Sequence, residues 1–141
     1  MTGESVGAPG SEPVRRNHSS GGPWEAAIGY SRAVRTGPLI VTAGCTATVD
    51  GAVVHVGDPY QQTLVAFGIA LDAVRALGAE ITDVISTRMY ITDLTRSGDV
   101  GRAHGSLFGD VRPAATMVGV AGLIDPDHLV EVEVTAWHPA G

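Results

Sequence analysis

Two carboxylates near the end of the chain are the clearest candidates for chemistry. In Leu129–Trp137, the valines Val130, Val132 and Val134 alternate with Glu131 and Glu133. Side chains on a strand alternate faces with period 2, so this run has one apolar face and one face carrying both glutamates. A carboxylate enclosed at an interface or in a pocket holds its proton more tightly and can act as a general base on water or on an acidic C–H. On a hydrated surface the same pair is only a polar face, so what covers that face decides the matter. Arg88 belongs with them. In Ile81–Ile91, Thr87, Met89 and Ile91 fit the apolar alternation, while Ser86, Arg88 and Tyr90 fall opposite. A guanidinium there either binds an anionic ligand or pairs across strands with Glu131 or Glu133.

Other reactive residue types are sparse. Cys45 is the single cysteine, which excludes an intrachain disulfide or a multi-cysteine metal site and fits a reducing compartment. A lone buried cysteine behaves as a small hydrophobe. The histidines His18, His55, His104, His128 and His138 show no metal-ligand spacing, so no metal is expected. His104 falls between Val100 and Phe108 on a helical stripe, where packing is its ordinary role. The run Gly119–Gly122 lacks a phosphate-loop pattern and no helix follows it, so no nucleotide cofactor is expected.

The elements that must position these residues read as one α+β domain. The 141 residues are 44% hydrophobic and 17% charged, enough for a real core. The net charge of -6 argues against a nucleic-acid partner, which needs a basic surface, and toward a small molecule or a protein. With no apolar run near ~20 residues and no signal-like N-terminus, a cytoplasmic location is expected. Residues 1–22, rich in Gly, Ser and Pro, read as a flexible tail, with the folded domain spanning 23–141. Tyr30–Val34 and Leu39–Ala43 read as a hairpin around Thr36-Gly37-Pro38, and Asp50-Gly51 as the turn of a smaller one. Asp58 and Pro59 start the strongest helix, Tyr60, Leu64, Phe67, Leu71 and Val74 form its stripe, and Gly78 ends it. A strand over Ile81–Ile91, a helix near Asp99–Phe108, and strands over Ala114–Ala121 and Leu129–Trp137 complete the order. Two helices on one face of a single sheet leave a second face carrying Arg88, Glu131 and Glu133, open to water or to another copy of the chain.

Ile28-Gly29-Tyr30, Val41-Thr42-Ala43-Gly44, Gln61-Gln62-Thr63, Met89–Asp93, Arg112-Pro113-Ala114 and Val130-Glu131-Val132-Glu133 together resemble the RidA (YjgF) family in order and spacing. The resemblance runs from about Pro23 to Trp137. It implies a chorismate-mutase-like fold and a homotrimer with a central barrel and small-molecule sites in clefts between subunits. It also implies imine or enamine deamination without cofactor or metal. On this resemblance Glu131 stands near the attacking water, and Tyr30 donates a hydrogen bond to a carbonyl or imine nitrogen. Ala43, Gly44, Cys45, Arg88, Ala115 and Met117 are the expected substrate-binding positions. The family's carboxylate-binding arginine follows Pro-Ala, and here Ala115 stands in its place. The expected function is therefore a RidA-like, cofactor-free hydrolase, deaminase or isomerase acting on an enamine, imine or related carbonyl compound, other than the standard 2-aminoacrylate deaminase. The alternative is a non-catalytic metabolite-binding protein of the same fold.

Overall fold

A computed structural model describes residues 14–139. The main sheet runs in the order β1 (Arg15–His18), β2 (Ala33–Thr36), β3 (Leu39–Thr42), β9 (Val130–Trp137), β7 (Val84–Ile91) and β8 (Ala114–Gly119). The short β4 (Cys45–Thr46) also pairs with β9, and β5 (Thr48–Val49) and β6 (Ala52–Val53) form the separate small hairpin. All pairings are antiparallel except β7 with β8, which are parallel and joined through the helix α3 (Ser97–Phe108). A parallel pair needs such a crossover, because a tight turn can only reverse the chain. Among the described residues no helix is long and apolar enough to cross a membrane.

The core lies between β9 and the long helix α2 (Pro59–Ala76). Val130, Val132, Val134 and Ala136 are buried on one face of β9, as their alternation predicts. On α2 the Asp58 side chain accepts from the Gln61 N–H and Pro59 occupies the first turn. Gly78 follows the C-cap with φ +94°, a left-handed conformation that costs other residues a steric penalty. The buried stripe differs from the expected one. Phe67, Leu71 and Val74 are buried, but Tyr60 and Leu64 are only half-buried, and Gln62, Thr63, Ala66, Ala70 and Ala73 take the inner face. Small side chains bring the helix axis close to the sheet and push the bulky ones to its flanks. At one such flank Tyr60 receives the Arg102 guanidinium, 5.4 Å from the ring centroid.

Four expectations need correction. Arg15–His18 is a strand and not part of a tail; its polar side chains carry no strand pattern, and pairing with β2 creates it. The rest of that expected tail, residues 1–13, lies outside the described residues, as do 140 and 141. A third helix, α1 (Pro23–Ile28), precedes the hairpin, and the first hairpin strand starts at Ala33 rather than Tyr30. Residues 81–83 form a single 3₁₀ turn before β7, closed by reciprocal Glu80 and Asp83 capping bonds. Finally, α1 flanks the open face, bordering a groove with Val34 and Val41, so not every helix lies on the covered side.

Gln62, fully buried, ties this core to the functional strand. Its amide nitrogen donates to the Asp127 carbonyl at 2.9 Å, and its carbonyl oxygen accepts from Leu129 N–H at 2.9 Å. These bonds fix the approach to β9 and so the register of Glu131. The Gln62 amide nitrogen also reaches the His55 carbonyl at 3.3 Å, so replacing Gln62 with Leu takes a partner from three backbone groups and is expected to cost about 2–4 kcal/mol in urea denaturation.

Candidate functional site

Glu131 sits on the open face of β9, between the buried Val130 and Val132. It is opposite Thr46 of β4 and Tyr90 of β7. Its carboxylate lies directly over Gly44, where a Cβ would stand 2.7 Å from the glutamate Cδ. Only glycine leaves room for that approach. Among the described residues no hydrogen bond reaches the Glu131 carboxylate, although the side chain is half-buried. Burial pushes its pKa up, and the neighbouring Glu133 charge adds to the shift, against His128 and Arg32. A carboxylate that is available and reluctant to lose its proton suits general base work.

Tyr30 is delivered by the end of α1. Gly29 adopts the left-handed conformation, and the Gly29 and Tyr30 N–H groups both donate to the Glu25 carbonyl at 2.9 Å. Next to it stands Arg32, which the sequence reading passed over. Its Nη1 donates to the Gly44 carbonyl at 2.7 Å and approaches the Cys45 Sγ at 3.7 Å. Its Nη2 reaches the Tyr30 hydroxyl at 3.4 Å, and Nε reaches Ser20 Oγ at 3.4 Å. No periodicity pointed to Arg32, because Tyr30–Arg32 lie in the turn between α1 and β2 and outside any strand. Behind Arg32 lies Glu25, only 4% exposed. Burial pushes the Glu25 carboxyl up, but hydrogen bonds from Ser20 and Ser19 and the charge of Arg32 hold it below its ordinary value. Tyr30, Ala43 and Glu25 line a groove of about 600 Å³ that also takes in Asn17, Val34 and Val41.

Cys45 does not line a ligand surface. It is 1% exposed, because β4 turns its side chain inward opposite Val132 while Gly44 and Thr46 flank it. Burial pushes its thiol pKa up despite Arg32, so it has little thiolate character.

Arg88 is exposed on the open face, in register with Glu133, and beside it Tyr90 donates to Glu133 at 2.7 Å. Ala115 and Met117 are elsewhere. They pair with Thr87 and Met89, so they share the helix-covered face of the sheet, on the edge strand β8. One strand, β7, separates β8 from β9. Within one chain the structure therefore gathers Tyr30, Ala43, Gly44 and Glu131, places Arg88 further along the same face, and leaves Ala115 and Met117 on the opposite one.

Two histidines resolve differently. His104 packs against Phe67 and Phe108 and meets Thr87 Oγ1 at 2.8 Å, and burial lowers its pKa; it is a core group, as its helical stripe implies. His128 ends a chain of hydroxyls, Thr46 to Thr48 at 3.0 Å and Thr48 to His128 Nε2 at 2.9 Å. Among the described residues its buried Nδ1 has no hydrogen-bond partner. Also among the described residues, no group of three or more His, Cys, Asp or Glu could hold a metal ion.

Comparison with known proteins places this geometry. The family described as Endoribonuclease L-PSP matches residues 23–138. An uncharacterized protein of Streptomyces coelicolor is 45% identical over 130 residues, covering 92% of this chain and 96% of that protein. A RutC family protein of Pyrococcus abyssi is 30% identical over 111 residues, covering 77% of this chain and 85% of that one. Among solved structures, a Mycobacterium tuberculosis member of the YjgF/YER057c/UK114 family superposes with a TM-score of 0.80 at 44% identity, covering 88% of this chain and 99% of that chain.

The raised Glu131 pKa fixes the sign of a stability effect. Between the ordinary glutamate pKa and the raised one, the folded chain keeps a proton that the unfolded chain releases. Stability therefore falls as pH rises through that window. Glu131→Gln is expected to melt higher than the parent at pH 7–8, with the gain vanishing below about pH 4. Calorimetric melts across pH check this; an equal or lower Tm at pH 8 contradicts the assignment.

Proposed function

This chain belongs to the YjgF/RidA family, and from that premise we propose that it is a cofactor-free enzyme acting on a small enamine, imine or related carbonyl compound. The observation that carries the reading is the Glu131 carboxylate, without a hydrogen bond among the described residues and seated on Gly44, whose carbonyl shares the Arg32 guanidinium with the Tyr30 hydroxyl. In imine hydrolysis Glu131 takes one proton of a water as the water oxygen bonds to the imine carbon. Tyr30 donates a hydrogen bond to the imine nitrogen as charge builds there. The proton held by Glu131 passes to the nitrogen, Glu131 then takes the remaining proton of the added hydroxyl and relays it to the same nitrogen, and as the C=O bond forms the C–N bond breaks, releasing a carbonyl compound and ammonia.

The site is completed between copies of the chain, and the working form is a cytoplasmic homotrimer. Two features support this part of the reading. Tyr30 and Glu131 lie on one face of the sheet while Ala115 and Met117 lie on the other, so no single copy brings all four together. The open face also exposes Leu39, Val41, Val118 and Trp137 beside its charged groups, an apolar surface suited to burial against another copy.

Ala115 sets the difference from imino-acid deamination. An arginine there would hold a substrate carboxylate by two charge-assisted bonds, and alanine offers none. The family description includes an endoribonuclease, but with a net charge of -6 and both glutamates on the open face, RNA is a poor partner. A metabolite-binding protein without turnover is the second reading, favoured by the same loss at Ala115.

Two measurements separate these readings. Ammonia release from enzymatically generated 2-aminoacrylate is expected to show little acceleration over water; a large one would contradict the loss of carboxylate recognition. Against a panel of carboxylate-free imines and enamines, turnover is expected, and Glu131→Ala should lower kcat/KM by about 10²–10⁴-fold. Thermal stabilisation by panel compounds without any turnover would favour the binding protein.

A further inference from the structure

We propose that Arg32 is the positioning residue of this site: its guanidinium grips the Gly44 carbonyl and the Tyr30 hydroxyl together, fixing the floor beneath Glu131 and leaving the tyrosine proton free for a ligand. This role rests on the reading of Glu131 and Tyr30 as the reacting pair. It assigns a function to a cation that neither the sequence pattern nor the family resemblance singles out.

The hydrogen-bond directions support it. A guanidinium only donates, so the Tyr30 oxygen, 3.4 Å from Nη2, must accept. The hydroxyl proton of Tyr30 then has to find a different acceptor, and among the described residues it has none. A ligand carbonyl or imine nitrogen in the adjoining groove is one. On the other edge of the guanidinium, the 2.7 Å bond to the Gly44 carbonyl orients the peptide on which the Glu131 carboxylate rests. One planar group thus sets the height of the base and the direction of the donor.

The grip is itself held. The Arg32 backbone N–H donates to the His18 carbonyl at 2.9 Å, and its carbonyl accepts from Ala43 N–H at 2.8 Å, so the residue is pinned between β1 and the end of β3. Its side chain is only 14% exposed, and Glu25 lies 3.9 Å behind it, which compensates the charge. With Nη1, Nη2 and Nε all directed at protein atoms, Arg32 is not a free fork for a substrate carboxylate. It therefore does not replace the guanidinium missing at Ala115. Lysine cannot substitute for it, since a single ammonium does not span two acceptors in a fixed plane.

Glu131 reports on Arg32. The titratable and polar groups facing Glu131 are Glu133 on its own strand, Tyr90 and Arg88 across on β7, Thr46 on β4, His128, and Arg32, while the Cys45 thiol on β4 points to the other side of the sheet. Of the two arginines, Arg88 is exposed and Arg32 is inside.

The test uses the full chain with Arg32→Gln and Arg32→Lys. The Glu131 carboxyl is titrated by carbon-detected NMR, and turnover is followed on the imine panel. In Arg32→Gln the Glu131 midpoint is expected to rise, because a neighbouring positive charge is lost, and kcat to fall about tenfold or more with a smaller change in KM. Arg32→Lys, which keeps the charge and loses the fork, should recover the midpoint but not kcat. An unchanged Glu131 midpoint in folded Arg32→Gln, or full kcat in Arg32→Lys, would overturn the role. Should Arg32→Gln fail to fold, nitrogen NMR of the parent decides: separate Nη signals for a guanidinium held in place support the grip, and a single averaged signal refutes it. A parent protein without turnover on any panel compound would count against the proposed function, while the Glu131 titration would still decide for or against Arg32.

Discussion

The burial of one face of β9 under α2 is the constraint on which the rest of this structure depends. Val130, Val132, Val134 and Ala136 leave water only because Ala66, Ala70 and Ala73 let the helix come close. That contact sets the register of the central strand, and strand geometry then fixes everything opposite. Once Val130 and Val132 face the helix, Glu131 must face away from it. The polar face of the sheet is thus a mechanical consequence of the apolar one. Gln62 reinforces the same register from within the core, holding the backbone on either side of His128.

On the open face, electrostatics rather than packing sets behaviour. Two glutamates on one strand repel each other, and partial burial weakens solvent's ability to screen them. The structure treats the pair unequally. Glu133 receives the Tyr90 hydroxyl and lies in register with Arg88, while Glu131 is pressed against a glycine with no donor at hand among the described residues. Two chemically identical side chains therefore have different tasks: one is satisfied locally and the other remains available.

Much of this was legible in the sequence, for identifiable reasons. The alternation in β9, the Asp58-Pro59 start of α2 and the Gly78 stop are local signals that the packing merely accepted. The placement of Ser86, Arg88 and Tyr90 on the glutamate face also followed from period 2. Strand order was not legible in this way. Nothing local in Ala114–Gly119 says that β7 intervenes between β8 and β9, and so nothing local says that Ala115 faces away from Glu131. Arg15–His18 was hidden because its pairing comes from β2, with Arg16 donating to the Leu77 carbonyl at 3.2 Å. Arg32 was hidden because a long cation at the start of a strand reads as surface until its partners are seen.

The N-terminal strand has a bearing on where the folded unit begins. The family match begins at residue 23, yet β1 begins at Arg15, and its continuation brings Ser20 against both Glu25 and Arg32. Residues ahead of the matched region are thereby wired to the charged pair behind Tyr30, so the structural unit is longer than the matched one. A boundary drawn at residue 23 would cut through that wiring and leave β2 as a bare sheet edge.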